Sequence, residues 1–148
     1  MSLPICEDLD LNEHIDEREF GNLPQLTCLV VDDNEINVEL LKWMLEEWGH
    51  DVDVAINGLE AVEAIAKKRF DVVFMDYHMP VMNGLMATQK IRELPAPANL
   101  TKIIGCTADA FSEVREQLLE AGQDDVISKP IIQRELHMAL KASISAGE

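Results

Sequence analysis

The stretch VFMDYHMPVMNG, residues Val73–Gly84, joins an apolar run to a turn through a single carboxylate. The apolar run begins at Val72 and stops at Asp76, and Pro80 and Gly84 follow within eight residues. A short, continuous apolar run indicates a strand that is buried on both faces. A lone Asp after such a strand is most often a turn residue or a helix cap, so its meaning depends on the rest of the chain.

Further apolar runs alternate with helical patterns on both sides of this stretch. The run at 51–56 alternates in polarity and predicts an edge strand, and no internal repeat is visible. Alternating strands and helices predict an α/β domain, a doubly wound five-stranded parallel sheet with helices on both faces. The predicted strands are 26–31, 51–56, 70–75, 102–107 and 125–128, and the predicted helices are 34–48, one opening at Asn57 or Gly58, 84–94, 109–121 and 131–144.

Composition limits the class of protein. The chain has 148 residues and 47% hydrophobic residues, which suits one domain with a real core. A net charge of −16 argues against direct nucleic-acid binding and favours a cation or a basic partner. The sequence shows neither a membrane-spanning run nor a signal peptide, so we expect a cytoplasmic location. Three cysteines without ligand spacing argue against a disulfide framework or a zinc site, and we expect Cys28 and Cys106 in the core.

The composition and hydrophobic periodicity of the sequence change near residue 26. Residues 1–25 are acidic and lack sustained periodicity, so we interpret them as a tail or linker. Residues 26–148 form the predicted domain. We expect it to be either a stand-alone domain or a piece of a longer chain.

Chemically active side chains follow four of the five predicted strands. Because the carboxyl ends of parallel strands meet at one edge, these side chains should share a crevice. Three carboxylates at close range repel one another unless a cation intervenes, which predicts Mg²⁺ or Mn²⁺. A carboxylate beside a metal and an ammonium can act as a nucleophile toward a phosphoryl group, and a hydroxyl could donate to a phosphoryl oxygen. The residues are Asp32, Asp33, Asp76, Thr107 and Lys129.

Four motifs resemble the receiver domain of two-component signalling, the CheY-like family, across roughly residues 26–144. They are LVVDDNEIN, VVFMDYHMPVMNG, IIGCTADAF and DDVISKPI, in the order and at the spacing typical of the family. VDDNEIN together with SKPI is more similar to receivers of hybrid sensor histidine kinases than to chemotaxis-type receivers. The resemblance implies a flavodoxin/CheY-like sheet with strand order 2-1-3-4-5.

The resemblance also implies residue roles. Asp76 would be the phospho-acceptor and a Mg²⁺ ligand, together with Asp33, with Asp32 through water, and with the backbone carbonyl of His78. Thr107 would be the switch hydroxyl.

Lys129 would pair with the phosphoryl group. The Lys129–Pro130 bond would be cis, and Pro80 and Gly84 would shape the loop after the acceptor.

Other family positions concern regulation. His78, Ala108 and Asp109 occupy sites near the phosphoryl group, where the family tunes dephosphorylation; the plainer alternatives are a solvated His78 and an Asp109 that caps the fourth helix. The family usually has Tyr or Phe three residues before the lysine, where this chain has Val126. We therefore expect signalling through the Thr107 loop and the fourth helix without a ring flip.

The resemblance implies a module that takes a phosphoryl group from a histidine kinase or a histidine phosphotransfer protein, then hydrolyses it or passes it on. Such a domain catalyses its own phosphorylation and dephosphorylation, and the parent chain would be a histidine kinase, tethered to a membrane or not. The face of the fourth helix, fifth strand and fifth helix would bind partners or a second copy, flanked by Val126 and His137. We expect His14, His50 and His137 at the surface.

Three alternatives stay open at this point. A receiver-like module that is never phosphorylated usually lacks an acidic residue, the Thr or Ser, or the Lys, and all five are present here. A small-molecule phosphohydrolase of the haloacid-dehalogenase type needs a second Asp where this chain has His78. A flavodoxin-like FMN carrier shares the fold, but DDNE after the first strand would repel the flavin phosphate.

Overall fold

A computed structural model describes residues 23–109 and 113–146 of the chain. Strands and helices alternate throughout these residues, joined by short loops. A single 3₁₀ turn, Ala98–Leu100, precedes the fourth strand. The elements are β1 Thr27–Val31, α1 Glu35–Glu47, β2 Asp51–Ala55, α2 Gly58–Lys67, β3 Val72–Asp76, α3 Gly84–Arg92, β4 Lys102–Thr107, α4 Glu113–Ala121, β5 Asp125–Ser128 and α5 Gln133–Ala146.

The five strands form one parallel sheet in the order β2-β1-β3-β4-β5, which confirms the predicted fold. Every residue of β3, the central strand, is buried, because helices cover both of its faces. One apolar cluster packs α1 and α5 against the sheet through Leu45 and Leu140. A second cluster packs α2 and α3 against the other face through Ile65 and Ile91.

Three helices begin at an asparagine. The side-chain oxygens of Asn34, Asn57 and Asn83 accept hydrogen bonds from backbone N–H groups in the first turns of α1, α2 and α3. Such caps satisfy donors that a helix start otherwise leaves without a partner. Asn57 is therefore the cap of α2, and Gly58 is its first residue.

The predicted boundaries differ from the observed ones by a few residues. The third strand runs from 72 to 76 and not from 70 to 75, because pairing with β1 begins at Val72; Phe70 is buried but precedes the paired residues. The last helix starts and ends two residues later than expected. The fourth helix is described from Glu113, and residues 110–112 of its expected start lie outside the described residues.

The histidine predictions were partly wrong. His50 is 4% exposed and His137 is 1% exposed, so neither is a surface residue. The His50 ring accepts a hydrogen bond from the Leu26 N–H at 3.1 Å, and the His137 ring packs edge to face on Trp48. An imidazole is flat and largely apolar, so it fits a core once one nitrogen is hydrogen-bonded. His14 lies outside the described residues.

Val126 is buried as well, at 4% exposure, so neither it nor His137 offers a side chain to the expected partner face. The predicted burial of Cys28 and Cys106 is confirmed. No helix among the described residues is long and apolar enough to cross a membrane.

Candidate functional site

Three carboxylates meet at the carboxyl edge of the sheet. Asp32 and Asp33 follow β1, and Asp76 is the last residue of the neighbouring strand β3. One carboxylate oxygen from each lies within 4.8 Å of the others. Asp32 and Asp76 are buried and Asp33 is exposed, so the cluster opens to solvent on one side.

Lys129 extends into this cluster from the end of β5. Its Nζ lies 2.6 Å from Asp76 Oδ1 and 3.2 Å from Asp32 Oδ2. The Lys129 N–H donates to the Thr107 carbonyl at 2.9 Å, which anchors the lysine backbone to the end of β4. The peptide bond between Lys129 and Pro130 is cis. The Lys129 ammonium therefore pairs with two buried carboxylates.

Burial and charge act in opposite directions on this pair. Burial raises the pKa of Asp76; the hydrogen bond from Lys129 opposes that rise, and the nearby Asp32 carboxylate adds to it. Burial alone would lower the pKa of Lys129, but the hydrogen bond and the charge of Asp76 outweigh it and raise that pKa. The cluster thus carries more negative charge than one ammonium balances, which favours a further cation.

The backbone on both sides of the cluster is held by local contacts. Asp32 Oδ1 accepts the Asn34 N–H at 2.9 Å, and Asn34 itself caps α1. The Gly84 N–H donates to the Tyr77 carbonyl at 2.9 Å, and a Cβ on Gly84 would collide with the Asp76 carbonyl oxygen. Gly84 is therefore required by the close approach of two backbones.

Two local features of the backbone near this site were not predicted from the sequence. The contact between Asn34 and Asp32 has a signal, since an Asn two residues after a strand-end Asp is a common turn and cap arrangement. Val81 adopts a φ of 70°, in the left-handed region. A β-branched residue rarely occupies that region, so the sequence offers no signal for it.

The remaining predicted residues surround the cluster. Thr107, at the end of β4, is buried, and its Oγ1 accepts the Asp109 N–H at 3.1 Å. Ala108, Asp109 and His78 are exposed beside this edge, and the His78 ring packs against the Tyr77 ring with centroids 4.5 Å apart. The hydroxyl, the ammonium and the carboxylates therefore come from four strand ends.

The oxygen-rich cluster fits a hard divalent cation. Mg²⁺ prefers carboxylate and carbonyl oxygens and keeps several waters, which an opening to solvent allows. The exposed Asp33 lies on that open side, while the buried Asp32 and Asp76 limit the directions from which an ion can enter.

Val126 lies in β5, with its side chain among apolar neighbours. It clusters with Leu118 of α4, against which Tyr77 and Leu85 also pack. The side chain at this position is small and aliphatic, so β5 carries no aromatic side chain. Val126, which stands where the family usually has Tyr or Phe, is therefore part of the packed core.

Comparison with known proteins agrees with this geometry. Residues 28–141 match the response regulator receiver domain. The chain is 39% identical over 115 residues to the sensor protein GacS of Pseudomonas syringae pv. syringae and 37% identical over 115 residues to the histidine-protein kinase BarA of Escherichia coli (strain K12). These alignments cover 76% and 78% of the chain but only 12% of either relative.

A solved structure extends the comparison to three dimensions. The receiver domain of sensor histidine kinase PA1611 from Pseudomonas aeruginosa PAO1 superposes with a TM-score of 0.76 at 33% identity, covering 82% of this chain and 99% of that one. That structure has a magnesium ion coordinated in its active-site cleft. The relatives are receiver regions of hybrid histidine kinases, as the motifs predicted. This chain belongs to the response regulator receiver domain family.

Proposed function

We propose that the domain accepts a phosphoryl group from a phosphohistidine onto Asp76, with Mg²⁺ bound beside it. The observation that carries this proposal is the contact of Lys129 Nζ with Asp76 Oδ1 inside a cluster of three carboxylates. A carboxylate held between a cation site and an ammonium is placed to attack phosphorus. The similarity to receiver regions of hybrid histidine kinases supports the same reading.

Asp32, Asp33, Asp76 and the backbone carbonyl of His78 would hold the metal. Mg²⁺ is the expected ion, and Mn²⁺ would satisfy the same oxygen ligands. When bound, it would neutralise charge on the phosphoryl oxygens. The magnesium in the cleft of the similar receiver domain supports this assignment.

The protein's own groups perform the transfer. An oxygen of Asp76 attacks phosphorus, the P–N bond to the donor imidazole breaks, and the imidazole keeps the electron pair. Lys129 Nζ would pair with a phosphoryl oxygen, and the buried Thr107 hydroxyl would donate to another. Hydrolysis of the acyl phosphate, or attack by a second histidine, would return Asp76 to its free carboxylate.

The donor would be a histidine kinase or a histidine phosphotransfer protein. Phosphorylation would change how the face of α4, β5 and α5 binds partners or a second copy.

Residues 1–25 would be a linker and residues 26–148 the receiver domain, within a cytoplasmic region of a hybrid sensor kinase. His78, Ala108 and Asp109 would set the lifetime of the phosphoryl group.

Incubation with acetyl phosphate and Mg²⁺, followed by intact mass measurement, tests the proposal. We expect one adduct of about 80 Da in the wild type, which depends on Mg²⁺ and is absent from Asp76→Asn. Asp53→Asn, at an exposed carboxylate paired with Lys68, is the matched control and should still form the adduct. A wild type that binds Mg²⁺ but forms no adduct with acetyl phosphate or phosphoramidate would instead identify a non-phosphorylated interaction module.

A further inference from the structure

A groove of about 590 Å³ opens at the edge of the sheet opposite Asp76. It lies where β1, β3 and β4 begin and where α5 ends. Apolar side chains form much of its lining, namely Leu26, Phe70, Leu94, Leu100 and Ile144. Leu100 is 69% exposed, so part of this apolar surface faces solvent. The groove shares no residue with the phosphorylation site.

Basic residues surround this groove in a strongly acidic protein. Lys67, Lys68, Arg69 and Lys102 line it, out of 12 Lys and Arg in a chain of net charge −16. Lys68 pairs with Asp53 at 2.9 Å. Across residues 23–109 and 113–146, no ion pair within 4.0 Å involves the other three. Asp71 is the groove's one acidic lining residue, and it accepts the Thr27 N–H.

The complementary charge lies in the same chain. Residues 7–19, EDLDLNEHIDERE, carry seven Asp and Glu against one Arg, with Leu9, Leu11 and Ile15 between them. The chain also reaches the described domain at the groove, because Leu26 lines it and Leu23 packs against the neighbouring core. A short tether of this kind gives a local concentration in the millimolar range, so weak contacts suffice.

We propose that the acidic stretch 7–19 binds across this groove, with its carboxylates at Lys67, Arg69 and Lys102 and its apolar side chains on the groove floor. The contact is intramolecular and charge-dependent. It leaves the edge that carries Asp76 accessible, so it is independent of the proposed phosphorylation.

A spin label on Cys6 tests this in the full 148-residue chain. Cys28 and Cys106 are buried, so a maleimide nitroxide should react at Cys6 alone, which intact mass verifies. Paramagnetic broadening of assigned backbone amides then reports which surface lies near the label. We expect the strongest broadening at residues 67–71 and 94–102, and weak broadening at Asp33 and Lys129.

Charge reversal supplies the control. Lys67→Glu combined with Arg69→Glu should reduce broadening in the groove by at least about two-fold, as should roughly 1 M NaCl, where the Debye length is about 3 Å. Arg134→Glu reverses a single charge, against two in the double variant, at an exposed site in the first turn of α5 outside the groove, and should leave the pattern unchanged. If the double Glu variant fails to fold, Lys67→Gln with Arg69→Gln should give a smaller reduction.

Three results would overturn the proposal. The first is broadening centred away from the groove, and the second is broadening that survives both charge removal and salt. The third is equal broadening when spin-labelled, unenriched protein is mixed with unlabelled, ¹⁵N-enriched protein, since that would place the contact between two copies.

Discussion

The ammonium of Lys129 lies 2.6 Å from the Asp76 carboxylate although the two residues are 53 positions apart in sequence. Their strands are not neighbours, because β4 lies between β3 and β5. The lysine side chain therefore crosses the end of β4 and also reaches Asp32 at 3.2 Å. It occupies the space beside the carboxylates where a divalent cation or a phosphoryl group would need a counter-charge.

Removing that ammonium should change Mg²⁺ binding and phosphorylation in opposite directions. Lys129→Met should bind Mg²⁺ several-fold more tightly than the wild type, because a positive charge next to the carboxylates no longer opposes the ion. The same variant should form little acyl phosphate from acetyl phosphate. Titration calorimetry and intact mass measure the two effects.

Lys90→Met, at an exposed lysine on α3, is the matched control and should change neither property. Equal or weaker Mg²⁺ binding by Lys129→Met would contradict the electrostatic argument.

A methyl group on Gly84 should disturb Asp76, the proposed acceptor, directly. In Gly84→Ala the new Cβ meets the Asp76 carbonyl oxygen, so backbone must shift, at a cost of about 1–3 kcal/mol of unfolding free energy. Phosphorylation should slow as well, since the shift moves the Asp76 backbone. Urea unfolding and the rate of adduct formation test both effects.

Gly49→Ala is the control that distinguishes the effect of lost stability from the effect of a shifted Asp76 backbone. Gly49 has a φ of 91° and open space around it, so alanine there costs about 1–2 kcal/mol through backbone strain alone. Its phosphorylation rate should equal that of the wild type. Equal slowing in both variants would mean that lost stability, and not the contact at Asp76, limits the reaction.

The fold, and the meeting of these strand-end residues at one edge of the sheet, could be predicted from the sequence for a physical reason. Strands buried on both faces of a parallel sheet are continuous apolar runs, so their ends, and the residues at those ends, are visible in the pattern. The burial of His50 and His137 was not predictable this way, because it depends on a backbone donor and on an aromatic neighbour distant in sequence. The left-handed Val81 likewise depends on the surrounding loop.

Exposed residues beside the site should set the lifetime of the acyl phosphate. His78→Ala removes a ring that packs on Tyr77 beside Asp76, so water should approach more freely and the phosphoryl group should decay several-fold faster. Asp109→Ala should change the lifetime too. Decay of the mass adduct after removal of acetyl phosphate measures it, with Arg134→Ala as an exposed control. Unchanged decay in both variants would contradict the assigned roles.

Signalling should involve the Thr107 loop without a rotating ring. Val126 is buried against Leu118, so β5 carries no aromatic side chain that could swing inward. Thr107 Oγ1 accepts the Asp109 N–H, and movement of the hydroxyl toward a phosphoryl group would break that bond. Structures with and without beryllofluoride and Mg²⁺ should therefore differ in the Ala108–Asp109 backbone. An identical backbone in both would contradict this mechanism.

The buried His50 should make the domain less stable in mild acid. Burial lowers the pKa of His50, and the neighbouring His137 lowers it further against an opposing effect of Asp71. Its Nε2 has no hydrogen-bond partner in the described part of the chain. Above the ordinary imidazole pKa of about 6.5, neither the folded nor the unfolded chain protonates it, and its contribution is fully present. Below that value the unfolded chain gains a proton that the folded chain resists, so stability falls as the pH drops through the folded pKa.

Urea unfolding from pH 8 to pH 5 measures this loss. His50→Asn keeps an acceptor for the Leu26 N–H but cannot be protonated, so its unfolding free energy should depend less on pH across that window. A slope unchanged by His50→Asn would assign the acid sensitivity to other groups, and a steeper one would mean that the buried imidazole is protonated in the folded state.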